Sequence, residues 1–349
     1  TGGTTGTPKS VVLTNHSINA IAAQYQKAEM GFCRQCTFLD VLPPFIAFGL
    51  TVSLHLPLLI GCRTILAPGA SIEDTAKIFL KRKPNYYVAG PAQIEAILSQ
   101  PQVEKLDFSF LRLLAIGGDA LSAAKEQQIS DFLCTHHSKA FVLQGYGMPE
   151  LSATVCTEKP GAIKAGTVGI PLPDVNVKII NRESGLEFGY GEEGEICIMS
   201  PSVMVEYYKD KVETDAVLKT HKDGKLWLHT GDIGSLDTDG FLTITGRIKR
   251  IIYVSENAVF YKVFPKQIES QFEKMPEIRS IAIVGSSTLP ESCHLVAFVV
   301  INGRDSLKTQ ELNDFAHEMF KSYEQPLEYR FMDELPRTKL GKVDYRALE

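Results

Sequence analysis

The stretch Leu111-Arg112-Leu113-Leu114-Ala115-Ile116-Gly117-Gly118 decides how the rest of the chain is read. A short apolar run that stops at two glycines is a buried strand ending in a turn. Residues 123–133 then read as a helix and 140–144 as another strand. Towards the N-terminus, 10–13, 63–67 and 85–89 read as strands. Residues 17–30, 71–81 and 92–99 read as helices, the first N-capped by Thr14 or Asn15 and the last opened by Pro91. The segment 39–59 reads as a strand end and a buried helix. Strands alternating with helices of ten or more residues predict an α/β fold, a parallel-sheet core with flanking helices.

The rhythm changes near Gly166. From there to about Thr245 the segments are short and alternating, with turns such as Asn181-Arg182-Glu183-Ser184-Gly185, which predicts a small β-barrel or sandwich. After Lys249-Arg250 the pattern is helix, strand, strand, helix, strand, a small α+β domain. The predicted division is therefore 1–165, an α/β subdomain; 166–248, a small β-barrel subdomain; and 249–349, a C-terminal α+β domain.

A length of 349 residues, 44% hydrophobic and 22% charged, is ordinary for a soluble globular protein, and a net charge of -5 gives no footprint for nucleic acid. The most apolar window, 45–62, contains His55, Pro57 and two glycines, which favours a buried helix over a membrane span. Seven scattered cysteines, with Cys33 and Cys36 the one close pair, read as reduced thiols of a cytoplasmic protein.

Several short stretches carry candidate chemistry. The opening Thr1-Gly2-Gly3-Thr4-Thr5-Gly6-Thr7-Pro8-Lys9-Ser10 combines glycines, hydroxyls and an ammonium, the composition of an anion cradle suited to polyphosphate. The bland alternative is a flexible end. In Gly145-Tyr146-Gly147-Met148-Pro149-Glu150, an aromatic between glycines can stack on a purine, and a carboxylate just beyond can hold Mg2+ near phosphates. Core packing for Tyr146 and a solvated turn for Glu150 are the alternatives. Gly117, Gly118 and Asp119 stand at a strand end that admits a flat ligand, or form a plain turn. Asp232 in Thr230-Gly231-Asp232 is a fitting acceptor for a vicinal diol, and a β-turn is its alternative.

These stretches, in this order, resemble the adenylate-forming superfamily of acyl-CoA synthetases, 4-coumarate–CoA ligase, firefly luciferase and peptide-synthetase adenylation domains. Gly2 to Ser10 is similar to the family's phosphate loop, and Gly145 to Glu150 to its Gly-Tyr-Gly-Met-Thr-Glu. The resemblance implies a ligase of the kind found in fatty acid metabolism. Such an enzyme activates a carboxylic acid with ATP and Mg2+ and transfers the acyl group to CoA. It implies nucleotide binding by Thr1, Gly2, Gly3, Thr4, Thr5, Gly6, Lys9, Gly117, Gly118, Asp119, Gly145, Tyr146, Gly147, Asp232 and Arg247. It implies Mg2+ on Glu150, a hinge at Lys249, and catalysis by Lys342 within Leu335 to Leu348. Roughly the first third of a family member has no counterpart here.

Three departures accompany the match. Pro149 replaces a threonine and removes its hydroxyl together with a backbone N–H. Ile46 replaces a histidine in Leu42 to Gly49, a segment resembling the acyl pocket; it has no acidic residue to pair a substrate ammonium, which disfavours an amino acid. Tyr253 to Val263 contains no glycine, and Ser255, Glu256 and Asn257 are expected to crowd the CoA channel.

Overall fold

The computed structural model describes residues 9–117, 123–256, 259–287, 293–302, 307–338 and 342–349. They fall into two compact units. One holds residues 9–230 and Ser235–Ile244; the other holds Gly231–Gly234 and the chain from Thr245. The described residues of the stretches expected as two subdomains, 9–165 and most of 166–248, share the first unit.

The first unit is organised on a seven-stranded sheet in the order Arg63–Leu66, Thr37–Asp40, Tyr86–Ala89, Leu113–Ile116, Phe141–Met148, Ala153–Thr157, Ile170–Pro171. The first five run parallel, and the last two turn back antiparallel. Side chains leave a strand on alternate faces, and this sheet buries both. Tyr87, Ala89, Leu114 and Ile116 pack with Phe79, Ile94 and Ile129 of the helices Ile72–Arg82, Pro91–Leu98 and Ala123–Thr135. Tyr86, Val88 and Leu113 pack on the other face with Ile21 and Tyr25 of the helix Asn15–Lys27. Burial on both faces is why these strands read as continuous apolar runs. Thr14 caps the helix Asn15–Lys27 through the Ser17 N–H at 3.0 Å, and the Ser17 hydroxyl accepts the Thr14 N–H in return.

The structure departs from the sequence reading in four places. Within 39–59 a π-helix, Gly49–His55, runs into the short α-helix Leu56–Ile60. Pro57 supplies no N–H to the preceding turn, and a widened turn is one way to accommodate that loss. In place of a closed barrel, the described strands of 166–248 trace an open path: Leu218–Thr220, Leu226–Leu236, Gly194–Met199, Asn176–Ile180, with Leu242–Arg247 on Leu226–Leu236. Alternation specifies which face is buried, not whether a sheet closes. Within 253–263, expected to crowd the CoA channel, the described residues lie in two strands, Ile252–Glu256 paired antiparallel with Val259–Val263. Cys33 and Cys36, read as thiols, are joined as a disulfide.

In the second unit Ile278–Ser287 pairs antiparallel with Cys293–Ile301, which pairs parallel with Glu328–Phe331. Ile281, Ile283, Leu295 and Ala297 pack against Phe272 and Leu312 of the helices Pro265–Phe272 and Thr309–Met319. Ala282, Val284, Val296 and Phe298, one residue out of step, pack against Leu335 and Leu348. Among the described residues no helix is long and apolar enough to cross a membrane.

Candidate active site

A two-stranded pairing organises the candidate residues of the first unit. Val11–Val12 runs antiparallel to Glu206–Tyr207, with Val11 opposite Tyr207. The Tyr208 N–H extends it to the Ser10 carbonyl at 2.8 Å. This register brings Lys9 over the Tyr207 ring, with Nζ 4.7 Å from the centroid, and into an ion pair with Glu213 of the helix Lys211–Val217. The Tyr207 hydroxyl donates to Glu150 Oε1 at 2.6 Å. Glu150 is buried on the 3-10 turn Pro149–Leu151, directly past the strand Phe141–Met148. The Met204 N–H holds its backbone carbonyl at 2.8 Å. One tyrosine therefore joins a lysine at the end of the opening loop to the carboxylate beyond the central strand. Nothing in the sequence near Tyr207 marks it; only the pairing with Val11–Val12 does.

The glycines around Tyr146 have a packing reason of their own. A Cβ on Gly147 would lie 1.7 Å from the Ala153 carbonyl oxygen, and one on Gly145 would lie 3.3 Å from that of Cys156. The ladder between these strands is irregular at Tyr146 and Gly147, where a glycine permits close backbone approach. Tyr146 is buried among Leu151, Val155 and Cys156. A Cβ on Gly117 would meet the Phe48 ring at 3.0 Å, so the 42–49 segment reaches this strand end. Thr1, Gly2, Gly3, Thr4, Thr5, Gly6, Gly118, Asp119 and Asn257 lie outside the described residues.

Gln144, just before these glycines, links two acids. Its side-chain amide donates to Glu126 at 2.6 Å and its backbone N–H to Glu158 at 2.9 Å. Burial raises the Glu158 carboxyl to about 7; the Glu126 charge adds to the rise, against hydrogen bonds from the Gln144 and Lys164 backbones.

In the second unit Arg247 Nε donates to Asp232 Oδ1 at 2.5 Å. Asp232 is buried, whereas Arg247 is exposed. Lys249 is exposed on the 3-10 turn Ile248–Arg250. Its neighbour Arg250 is pinned instead: Nη2 lies 2.8 Å from buried Glu269 Oε1, and the guanidinium lies 3.5 Å from the Tyr345 ring centroid. The Glu269 carboxylate also accepts the Ile283 N–H at 2.9 Å. Lys342 precedes Val343, which bridges Arg337, and the Lys342 carbonyl accepts the Thr338 N–H at 2.7 Å. Leu335 and Leu348 bury the two ends of this segment.

Residues 1–208 match the family described as AMP-binding enzyme, and residues 267–342 match the AMP-binding enzyme C-terminal domain. The chain belongs to the AMP-binding enzyme family. It is similar to a long-chain-fatty-acid–CoA ligase of Bacillus subtilis, 32% identical over 353 residues that cover all of this chain and 60% of the relative. It is 33% identical to a probable 4-coumarate–CoA ligase of Dictyostelium discoideum, over 98% of this chain and 60% of the relative. The chain thus spans about 60% of the length of the curated relatives it matches. Among solved structures it superposes on the ATP-bound MatB of Rhodopseudomonas palustris with a TM-score of 0.87 at 23% identity, covering 100% of this chain and 66% of that one. The o-succinylbenzoate CoA synthetase of Bacillus subtilis, in complex with its acyl-adenylate intermediate, gives a TM-score of 0.82 at 24% identity, covering 100% and 68%. These likenesses establish the AMP-binding enzyme fold.

Proposed function

We propose that this protein activates a carboxylic acid with ATP and passes the acyl group to CoA. A carboxylate oxygen attacks the α-phosphorus of ATP, the bond to the bridging oxygen breaks, and pyrophosphate leaves. The CoA thiol then attacks the acyl carbonyl, loses its proton to solvent, and AMP departs. The observation that carries this reading is the meeting of Lys9 and Glu150 on Tyr207. It supplies a cation for phosphate and a carboxylate for a metal at the C-terminal end of a parallel-sheet strand, where α/β folds bind nucleotides.

The residues have separable roles. Thr1 to Lys9 hold the β- and γ-phosphates. Gly117, Gly118, Asp119 and Gly145 to Gly147 border the purine, and Asp232 with Arg247 holds the ribose. Glu150 suits Mg2+: it is a hard oxygen donor held in place by Tyr207, and Mg2+ commonly takes one or two carboxylates beside phosphates. Bound there, the ion neutralises phosphate charge. Lys342 carries charge that develops as two anions meet, the point at which a fixed cation gains most. Lys249 is the hinge between the two half-reactions. The substrate is a carboxylic acid without an ammonium group, of the fatty or aryl type, and the setting is the cytoplasm.

A second reading, a nucleotide-binding relative with impaired chemistry, is favoured by Pro149. It opens the turn that bears Glu150 and brings no N–H to it. Exchange of labelled pyrophosphate into ATP separates the two. Exchange that requires a carboxylic acid supports activation. AMP binding without exchange, both in this chain and in the protein purified from its native source, supports the second reading.

A further inference from the structure

One cluster in the first unit has no part in the nucleotide reading. Cys197 lies on the strand Gly194–Met199 and His229 on its sheet neighbour Leu226–Leu236. His221 opens the tight turn, closed by its N–H to the Lys225 carbonyl at 3.0 Å, that leads into the second strand. One ligand atom from each of these three side chains falls within 4.8 Å of the other two. The two Nε2 atoms are 2.9 Å apart. Behind them, His229 Nδ1 is 3.1 Å from Oε2 of buried Glu195. A carboxylate in that position accepts a hydrogen bond from Nδ1–H and leaves the Nε2 lone pair facing the cluster.

We propose that Cys197, His221 and His229 form a site for a thiolate-accepting divalent cation, with Zn2+ as its type, and that Glu195 orients His229 from behind. One sulfur and two imidazoles are a donor set that Zn2+ prefers over Mg2+ or Ca2+. At ordinary bond lengths the ligand atoms of a tetrahedral site stand roughly 3.3 to 3.8 Å apart. The two Nε2 atoms at 2.9 Å and the 4.8 Å limit on the three ligand atoms bracket that spacing. With three protein ligands, the fourth position falls to water.

Binding releases the thiol proton: the S–H bond breaks, the proton goes to solvent, and the sulfur–metal bond forms. Lys178 stands opposite Cys197 in the ladder, its ammonium over the Trp227 ring and 3.4 Å from Asp223. In the absence of metal the His221–His229 contact is a plain hydrogen bond, which does not involve sulfur.

Co2+ titration of the metal-stripped full chain tests the site. The expected result is about one Co2+ per chain, a near-ultraviolet thiolate-to-cobalt charge-transfer band, and displacement of the band by Zn2+. The band should vanish in Cys197→Ala. Glu195→Gln should weaken binding by about 10-fold. His221→Asn, on a half-buried turn, gives the same reading if Cys197→Ala does not fold, and Cys33→Ser/Cys36→Ser should keep the band. No thiolate band in the wild-type chain, or an unchanged band in Cys197→Ala or His221→Asn, overturns the proposal.

Discussion

The Tyr207 hydroxyl donates to Glu150 at 2.6 Å while its ring carries Lys9 at 4.7 Å. Tyr207→Phe keeps the ring and removes only the O–H. Losing one hydrogen bond to a carboxylate should cost about 1–3 kcal/mol of stability. It should also raise the Mg2+ concentration for half-maximal pyrophosphate exchange several-fold, on the order of 1 kcal/mol. A denaturant midpoint and a Mg2+ titration give the two numbers. An unchanged Mg2+ requirement would show that Tyr207 does not position Glu150 for a metal.

Asp232 and Arg247 form one unit, paired at 2.5 Å. If Asp232 accepts from the ribose hydroxyls, the wild-type chain should bind AMP about 10-fold or more tightly than an AMP lacking both hydroxyls. Asp232→Ala should bind the two alike. Calorimetric titration of both nucleotides into both proteins checks this. An equal loss for both nucleotides would point to a purely structural aspartate.

Gly147 is a packing requirement as much as a candidate binding position, since its missing Cβ would stand 1.7 Å from the Ala153 carbonyl. Gly147→Ala should cost on the order of 3 kcal/mol or more. Gly185→Ala, at a φ of +68° with open space around it, should cost only about 1 kcal/mol. Thermal melting of the two variants side by side reads the contrast.

Glu158 makes stability depend on pH. Its folded pKa, about 7, stands above the ordinary 4.5. The folded state thus holds the extra proton between those values, and stability contributed there falls as pH rises from about 4.5 to 7. Glu158→Gln should remove that decline. Relative to wild type it should gain on the order of 1–2 kcal/mol between pH 5 and pH 8. Chemical denaturation at the two pH values measures it; a parallel decline in both proteins would contradict the assignment.

The strands of the central sheet were legible because they are buried on both faces, and the helix Asn15–Lys27 because Thr14 and Ser17 cap it locally. What escaped the sequence depends on partners far away in the chain. Tyr207 acquires its role only through the register with Val11. The open path of the second sheet follows from which strands Leu226–Leu236 accepts, and alternation alone is silent on that. Cys197, His221 and His229 have no metal-binding spacing in sequence and meet through a sheet and a turn. The paired strands Ile252–Glu256 and Val259–Val263 were legible in principle, since Tyr253, Val254, Val259, Phe260 and Tyr261 are strand formers. Slow thioester formation, expected from Ser255, Glu256 and Asn257, is checked by a CoA-dependent assay.

Carboxylic-acid-dependent exchange of labelled pyrophosphate into ATP tests the central claim most directly, using wild type beside Lys342→Ala with AMP binding measured on both. The predicted result is exchange that needs both acid and Mg2+. It should fall about 100-fold in Lys342→Ala while AMP affinity stays within about 2-fold. Exchange that persists without acid, or that is untouched by Lys342→Ala, would contradict it.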